Sequence, residues 1–195
     1  MNHPIRFAVF ALLLCVSVVG CAGGSAGNPE NGNGMNMQEA AEHADGMLDS
    51  VLAQFQPQVR WTHDSTSTGS CDVTRRRAVM TIVSAERRGS FLGVVDRFWR
   101  KSGYTIKAVN NDADVPAIFA QTSEGFGVSL IVGGEGQVFF EVDTPCVTPS
   151  EVGDSTSRAT APAYEGMEHI PRPNIRSDFW SAGTLAAGAA VASSP

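Results

Sequence analysis

The sequence has little charge, few cysteines and no basic excess. Charged residues make up 17% of the 195 residues, and the formal net charge is −6. Nucleic-acid-binding domains normally carry a basic excess, so we expect no nucleic-acid partner. The four cysteines, at positions 15, 21, 71 and 146, include no CxxC pair and have no histidine at a ligand spacing. This argues against a zinc site, and we predict no cofactor.

The sequence also lacks a long apolar run. The mainly apolar residues 7–19 would span about 20 Å as a helix, which is short of the ~30 Å hydrocarbon core of a bilayer. Arg6 precedes this run and the small residue Gly20 follows it. The layout is typical of a secretory signal peptide, which we predict over residues 1–20.

The end of the run carries a more specific pattern. Val18-Val19-Gly20-Cys21 resembles the lipobox of bacterial lipoprotein precursors, although leucine is more usual where this chain has Val18. The resemblance implies cleavage before Cys21, a diacylglycerol on its thiol and acylation of the new amino terminus by fatty acids such as palmitate. Two or more acyl chains hold a protein stably on a membrane, whereas one does not. The alternatives are an uncleaved anchor or a secreted protein with a free Cys21.

A segment rich in Gly, Asn and Ser follows at residues 21–36, without apolar periodicity. We predict a flexible tether, with a root-mean-square reach of about 20 Å.

Residues 37–149 carry the patterns of one folded domain. Apolar residues recur every three or four positions over 38–55 and 85–102, which predicts two helices. Strands are predicted over 78–83, 104–110, 117–122, 126–132 and 137–143, with turns at 123–125 and 133–136. The order α-β-α-β-β-β-β predicts an α+β fold, in which two helices pack on one face of a mainly antiparallel sheet of about five strands. The polar, turn-rich residues 60–76 are predicted to form a loop.

Two cysteines test this arrangement. Cys71 lies just before the first predicted strand and Cys146 just after the last. A disulfide between them requires those strand ends to lie within about 7 Å of each other, as in antiparallel neighbours. We predict this disulfide if the chain is exported.

Residues 150–195 lack lasting periodicity and contain several prolines. They predict a mostly disordered C-terminal tail. Phe179 and Trp180 are the exception, because they could dock on the chain's own domain or on a partner; docking on the domain is the simpler interpretation.

Catalytic patterns are weak. His63, Asp64 and Ser65 supply a base, a carboxylate and a hydroxyl, but consecutive residues rarely reach the geometry of a triad. The chain also lacks a Gly-x-Ser-x-Gly motif, and its carboxylates lack the spacing of a calcium loop. The alternative is a polar surface loop.

Arginines form the main charge feature. Residues 60–107 contain ten Lys and Arg against four Asp and Glu, whereas residues 108–195 contain three against eleven. The candidate anion-binding residues are Arg75, Arg76, Arg77, Arg87 and Arg88, since guanidinium groups bind phosphate and carboxylate as a fork. The alternative is that these arginines pair with the chain's own acidic half.

Residues 75–112 and 125–147 resemble small envelope lipoproteins of high-GC actinobacteria, particularly Streptomyces-type ones. The resemblance covers about residues 60–150 together with the lipobox, and it implies a lipid-anchored protein on the extracytoplasmic face of the cell membrane. It implies no activity and no catalytic residue. Our first hypothesis is a non-catalytic binding or assembly module with an envelope protein or anionic polymer as partner. The alternatives are an envelope enzyme or enzyme accessory acting on wall or lipid substrates, and a ligand carrier.

Overall fold

The computed structural model describes residues 34–165 and 170–183. The predicted signal peptide, Cys21, most of the tether and residues 184–195 lie outside the described residues. Two helices and six strands form within the described part of the chain. The helices are α1 (Met37–Leu52) and α2 (Ala85–Lys101); the strands are β1 (Trp61–Thr68), β2 (Val73–Val79), β3 (Thr105–Asn110), β4 (Ala117–Gln121), β5 (Gly127–Val132) and β6 (Val138–Asp143).

All six strands belong to one sheet in the order β1-β2-β6-β5-β4-β3, and every neighbouring pair is antiparallel. Helix α1 packs on β2 and β6, and α2 packs on β3 and β4. The predicted α+β fold and the order of its elements are confirmed, with six strands instead of about five.

The additional strand is β1, which the sequence analysis assigned to a loop. Its sequence WTHDSTST contains one large apolar residue, and the polar half is exposed. It lies at the edge of the sheet, and among the described strands it pairs with β2 alone. Three of its residues are threonines, whose branched Cβ suits a strand. Apolar alternation does not reveal such a strand, because little of it faces the core.

Strand β2 is also earlier than predicted, at residues 73–79 instead of 78–83. The difference arises because Arg75 and Arg77 occupy buried positions that an apolar pattern would fill, with exposed fractions of 2% and 0%. Buried arginines are tolerated only when they are paired, and their partners lie on α1.

Helix α1 begins with a capping box. The Asn36 side chain accepts a hydrogen bond from the Glu39 backbone N–H, and the Glu39 carboxylate accepts one from the Asn36 backbone N–H. Both helices bury their apolar stripes in one core against the sheet.

The predicted disulfide Cys71–Cys146 is present, with 4.8 Å between the two Cα atoms. It links the segment before β2 to the segment after β6, and these two strands are antiparallel neighbours. The strand pairing therefore provides the short distance that the bridge requires.

Residues 150–165 and 170–183 contain no regular helix or strand, yet they pack on the domain. Trp180 is 2% exposed and belongs to the main core, where its ring lies 5.3 Å from that of Phe91. Its Nε1–H donates to the Pro57 carbonyl at 2.7 Å. Docking of Trp180 on its own domain agrees with expectation, whereas this ordered packing departs from the mostly disordered tail predicted for residues 150–195. The reason is that contacts with the rest of the domain, which carry no local periodicity, hold the segment.

Candidate functional site

The sheet has two unequal faces, because successive side chains of a strand point to opposite sides. The face that packs on the helices, here called the closed face, is buried. It carries Val73, Arg75, Arg77 and Val79 of β2, Val128, Leu130 and Val132 of β5, and Val138, Phe140 and Val142 of β6. Neither α1 nor α2 packs on the opposite face, so among the described residues its coverage depends on the C-terminal segment.

One end of that opposite face is covered. Ala78, Met80 and Phe139 form a small apolar cluster with Ala161, and Tyr164 and Ile175 pack against it. The remainder, here called the open face, is formed by Asp64, Thr74, Arg76, Lys107, Phe119, Gln121, Gly127, Ser129, Glu141 and Asp143. It is mostly polar and lies on a hydrogen-bonded sheet.

A row of side chains crosses the open face. Phe119 lies opposite Ser129, Ser129 opposite Glu141, and Glu141 opposite Arg76, on four adjacent strands. Adjacent strands are ~4.8 Å apart, so this row is about 14 Å long. A parallel row contains Gln121, Gly127, Asp143 and Thr74.

Arg76 lies at one end of the row and pairs with two carboxylates. Its guanidinium is hydrogen-bonded to the Glu141 carboxylate, and its Nη1 lies 3.8 Å from Asp64 Oδ2. The same group lies 5.0 Å from the centre of the Phe139 ring. Arg76 therefore has its charge balanced within the face.

A hollow of about 280 Å³ lies at the other end of the open face. Its lining includes Lys107, Phe119, Gln121, Gly127, Ser129, Glu141 and Asp143. Phe119, which lines the hollow, is 38% exposed, whereas Ser129 is 5% exposed. The Ser129 hydroxyl has no hydrogen-bond partner among the described residues. Thr74 donates a 2.6 Å hydrogen bond to one oxygen of Asp143.

Arg75 and Arg77 lie on the closed face and contact α1. Arg75 Nε lies 3.3 Å from Asp45 Oδ2, while its two terminal nitrogens donate to Thr66 Oγ1 and the Gly153 carbonyl, both at 2.7 Å. Arg77 donates to the Asp49 carboxylate and to the Asp45 backbone carbonyl, the latter at 3.1 Å.

Arg77 also lies 4.0 Å from the centre of the Trp61 ring. This cation–π contact adds to its two acidic partners. Alternation along β2 thus divides the three consecutive arginines between two faces.

Arg87 and Arg88 lie on α2 and do not approach the open face. The Arg87 guanidinium lies 4.3 Å from the centre of the Phe179 ring. Arg88 Nη1 donates to the Asp114 carbonyl at 3.0 Å. The five candidate anion-binding residues are therefore not brought together on one surface, and each contacts groups of its own chain.

His63 lies on β1, and its Nε2 lies 2.8 Å from the Ser157 carbonyl oxygen. Its ring packs edge-to-face on Trp61, with 5.2 Å between the centroids. Within the described ranges it forms no ion pair with a carboxylate. Residues 63–65 therefore do not present the base, carboxylate and nucleophile arrangement of a triad.

A second groove, of about 460 Å³, lies between α2 and the end of β3. Gly89, Leu92 and Val109 contribute to its lining. The Asp112 carboxylate accepts hydrogen bonds from the backbone N–H groups of Asp114 and Val115, and these bonds lower the pKa of Asp112. That carboxylate thus stabilises the turn beside the groove.

No group of three His, Cys, Asp or Glu side chains within residues 34–165 and 170–183 is arranged to hold a metal ion. None of the helices in the described part of the chain is long and apolar enough to cross a membrane.

Most of the open face is not evident from the sequence patterns. Glu141 and Asp143 belong to the carboxylates without calcium-loop spacing, and Phe119, Gly127 and Ser129 fall within predicted strands to which the sequence assigns no further role. The available signal was the alternation in β6, where Glu141 and Asp143 alternate with Phe140 and Val142. Such alternation indicates a strand with one polar face.

Comparisons with known proteins name no function. No protein-family model matches the chain, and no curated protein matches it. A crystal structure of a DUF4853 family protein from Actinomyces odontolyticus is similar at 12% identity and a TM-score of 0.36, over 72% of this chain and 78% of that chain. We draw no inference from a match at this TM-score.

Proposed function

We propose that this chain is a lipid-anchored protein of the extracytoplasmic membrane face, and that its domain binds another envelope component without catalysis. The observation that carries the binding role is the open face, which leaves polar and aromatic groups uncovered on a rigid sheet. Binding sites on strands hold their side chains more precisely than sites on loops.

The location is supported by two features of the chain. Val18-Val19-Gly20-Cys21 resembles a lipobox, and Cys71 and Cys146 form a disulfide. Disulfides persist in exported proteins and are rare in a reducing cytosol. A lipid on Cys21 would leave residues 22–36 as a tether before α1.

Fractionation of cells that express the full-length chain tests the anchor. We expect the wild-type protein in the membrane fraction with acyl groups on its amino-terminal peptide, and Cys21→Ala in the soluble fraction. Cys15→Ala is the matched control, because Cys15 lies within the predicted signal peptide and should not affect the mature protein. Equal membrane association of Cys21→Ala and wild type would contradict the anchor.

Chemical crosslinking in intact cells, followed by mass spectrometry, tests the binding role. We expect one envelope component to be enriched with the wild-type chain relative to an unrelated lipoprotein. The absence of any enriched neighbour would count against a binding or assembly module.

A further inference from the structure

We propose that the hollow in the open face binds an uncharged sugar unit of an envelope glycan. This inference rests on the proposed function and names the ligand class for that site. It depends on the shape of the hollow, an unpartnered buried hydroxyl, an exposed aromatic ring and a near-balance of charge.

Gly127 creates the space. It lies between Gln121 and Asp143 in its row, where any other residue would place a side chain over the sheet. A Cβ built at Gly127 would lie 3.6 Å from the Asp143 Cβ, an ordinary contact distance. The resulting volume of about 280 Å³ is near the lower end of the range of ligand pockets, ~300–1,000 Å³. The hollow therefore suits one ring-sized unit of a longer chain that continues across the face.

Ser129 provides the polar contact at the base of the hollow. Its hydroxyl is buried and has no hydrogen-bond partner among the described residues. Buried polar groups in proteins are nearly always satisfied. The Ser129 hydroxyl has less than 1 Å² of accessible surface, so a ligand in the hollow would reach it through a small displacement of the side chains around it. A sugar hydroxyl is a suitable partner, since it both donates and accepts, as the serine hydroxyl does.

Phe119 provides the apolar contact. Phe119 is 38% exposed and lies directly across from Ser129 on the adjacent strand. An aromatic ring beside hydrogen-bonding groups matches the two sides of a pyranose, whose axial C–H groups form an apolar surface and whose hydroxyls are polar. Gln121 adds an amide to the same hollow.

Charge favours a neutral ligand. Arg76 is paired with Glu141 and Asp64, and Asp143 accepts the Thr74 hydroxyl. Lys107 forms no ion pair with any residue of the described ranges. A polyanion would meet the carboxylates of the hollow, and a polycation would meet Lys107, so neither sign of charge is selected.

Titration calorimetry of the full-length protein in detergent tests this inference. The probes are chitotetraose, maltotetraose and mannotetraose as neutral sugars, with tetragalacturonate as the anionic comparison. We expect measurable binding of at least one neutral tetrasaccharide and weaker binding of tetragalacturonate. Absence of binding to all three neutral probes would overturn the inference, and preference for tetragalacturonate would favour a polyanion site instead.

Variants locate the binding. Gly127→Val should fill the hollow and abolish binding, because valine suits a strand and the added atoms occupy the ligand's place. Phe119→Ala should weaken binding about tenfold, and Ser129→Ala about fivefold. Phe179→Ala is the matched control, since Phe179 is 39% exposed but lies outside the open face. Unchanged thermal midpoints would show that the variants fold, and binding unaffected by Gly127→Val and Phe119→Ala would overturn the site.

The two proposals fail in distinguishable ways. A chain that stays on the membrane through Cys21 and crosslinks to an envelope component, yet binds no neutral sugar, would refute only the ligand class. A chain that binds the sugar but does not depend on Cys21 for its location would refute only the anchor.

Discussion

Arg75, Arg76 and Arg77 are identical in type and adjacent in sequence, yet they lie in two different environments. Arg75 and Arg77 are buried on the closed face and bind carboxylates of α1, whereas Arg76 lies on the open face with its side chain 34% exposed. On the closed face, ion pairs between these arginines and carboxylates of α1 help to hold that helix on the sheet. The open face instead carries polar groups on a surface that neither α1 nor α2 covers.

The largest expected effect concerns Trp180, which extends the closed face with a residue from the C-terminal segment. Trp180→Ala should lower the free energy of unfolding by about 4 kcal/mol, because it leaves a cavity beside Phe55 and Phe91. Urea unfolding would measure this change. Phe179→Ala, the exposed neighbour, should cost much less; equal losses would show that Trp180 is not part of the core.

The next prediction compares the loss of stability when an arginine is replaced on each face. Arg77→Met should cost about 3 kcal/mol, since Asp45 and Asp49 lose a buried partner. Arg76→Met should cost less, about 1–2 kcal/mol, because Arg76 itself is 34% exposed although its partners Glu141 and Asp64 are 17% and 12% exposed. Urea unfolding of both variants gives the comparison. An Arg76 effect as large as that of Arg77 would remove the proposed difference between the faces.

Unfolding at alkaline pH tests the burial of Tyr104, which packs against the core on the side of the closed face. Burial, together with the nearby Glu124 carboxylate, raises the pKa of Tyr104 above its ordinary value of 10.0. A raised folded-state pKa contributes stability that is fully present below the unfolded-state pKa and is lost as the pH rises through the folded-state pKa. The free energy of unfolding of wild type should therefore fall relative to that of Tyr104→Phe as the pH rises above about 10. A difference that stays constant across this range, measured by urea unfolding, would contradict the burial of this phenol.

The smallest effect is expected at Ser129 on the open face. Ser129→Ala removes a hydroxyl without a partner among the described residues, so the free energy of unfolding should change by less than about 0.5 kcal/mol or rise slightly. A loss above about 1 kcal/mol in urea unfolding would mean that the hydroxyl has a structural partner.

The difference between the two faces also accounts for which helices and strands could be predicted from the sequence. The helices, the last four strands and the disulfide follow from apolar periodicity, turn residues and cysteine positions, because those elements are mostly apolar on one side. Strand β1 and the early part of β2 could not be predicted in this way. Thr62, Thr66 and Thr68 lie on an edge strand, and Arg75 and Arg77 depend on partners on α1 that are distant in sequence.

The candidate site depends even more on pairing between strands. Phe119, Ser129 and Glu141 come from three strands, and only the register of β4, β5 and β6 brings them together. Periodicity within each strand indicates which side chains share a face, but it does not give the register. The sequence indicated that Phe179 and Trp180 could dock on the domain or on a partner; in the structure Trp180 is buried in the domain core, whereas Phe179 is 39% exposed.

The most direct test of the binding role is site-specific photo-crosslinking in intact cells. A photoreactive phenylalanine analogue replaces either Phe119 on the open face or Phe179, which has nearly the same exposure and lies elsewhere. We expect an envelope component to be captured from position 119 and not from position 179, with capture lost in Cys21→Ala. Equal capture from both positions, or capture from position 179 alone, would contradict the account that the open face is the binding surface.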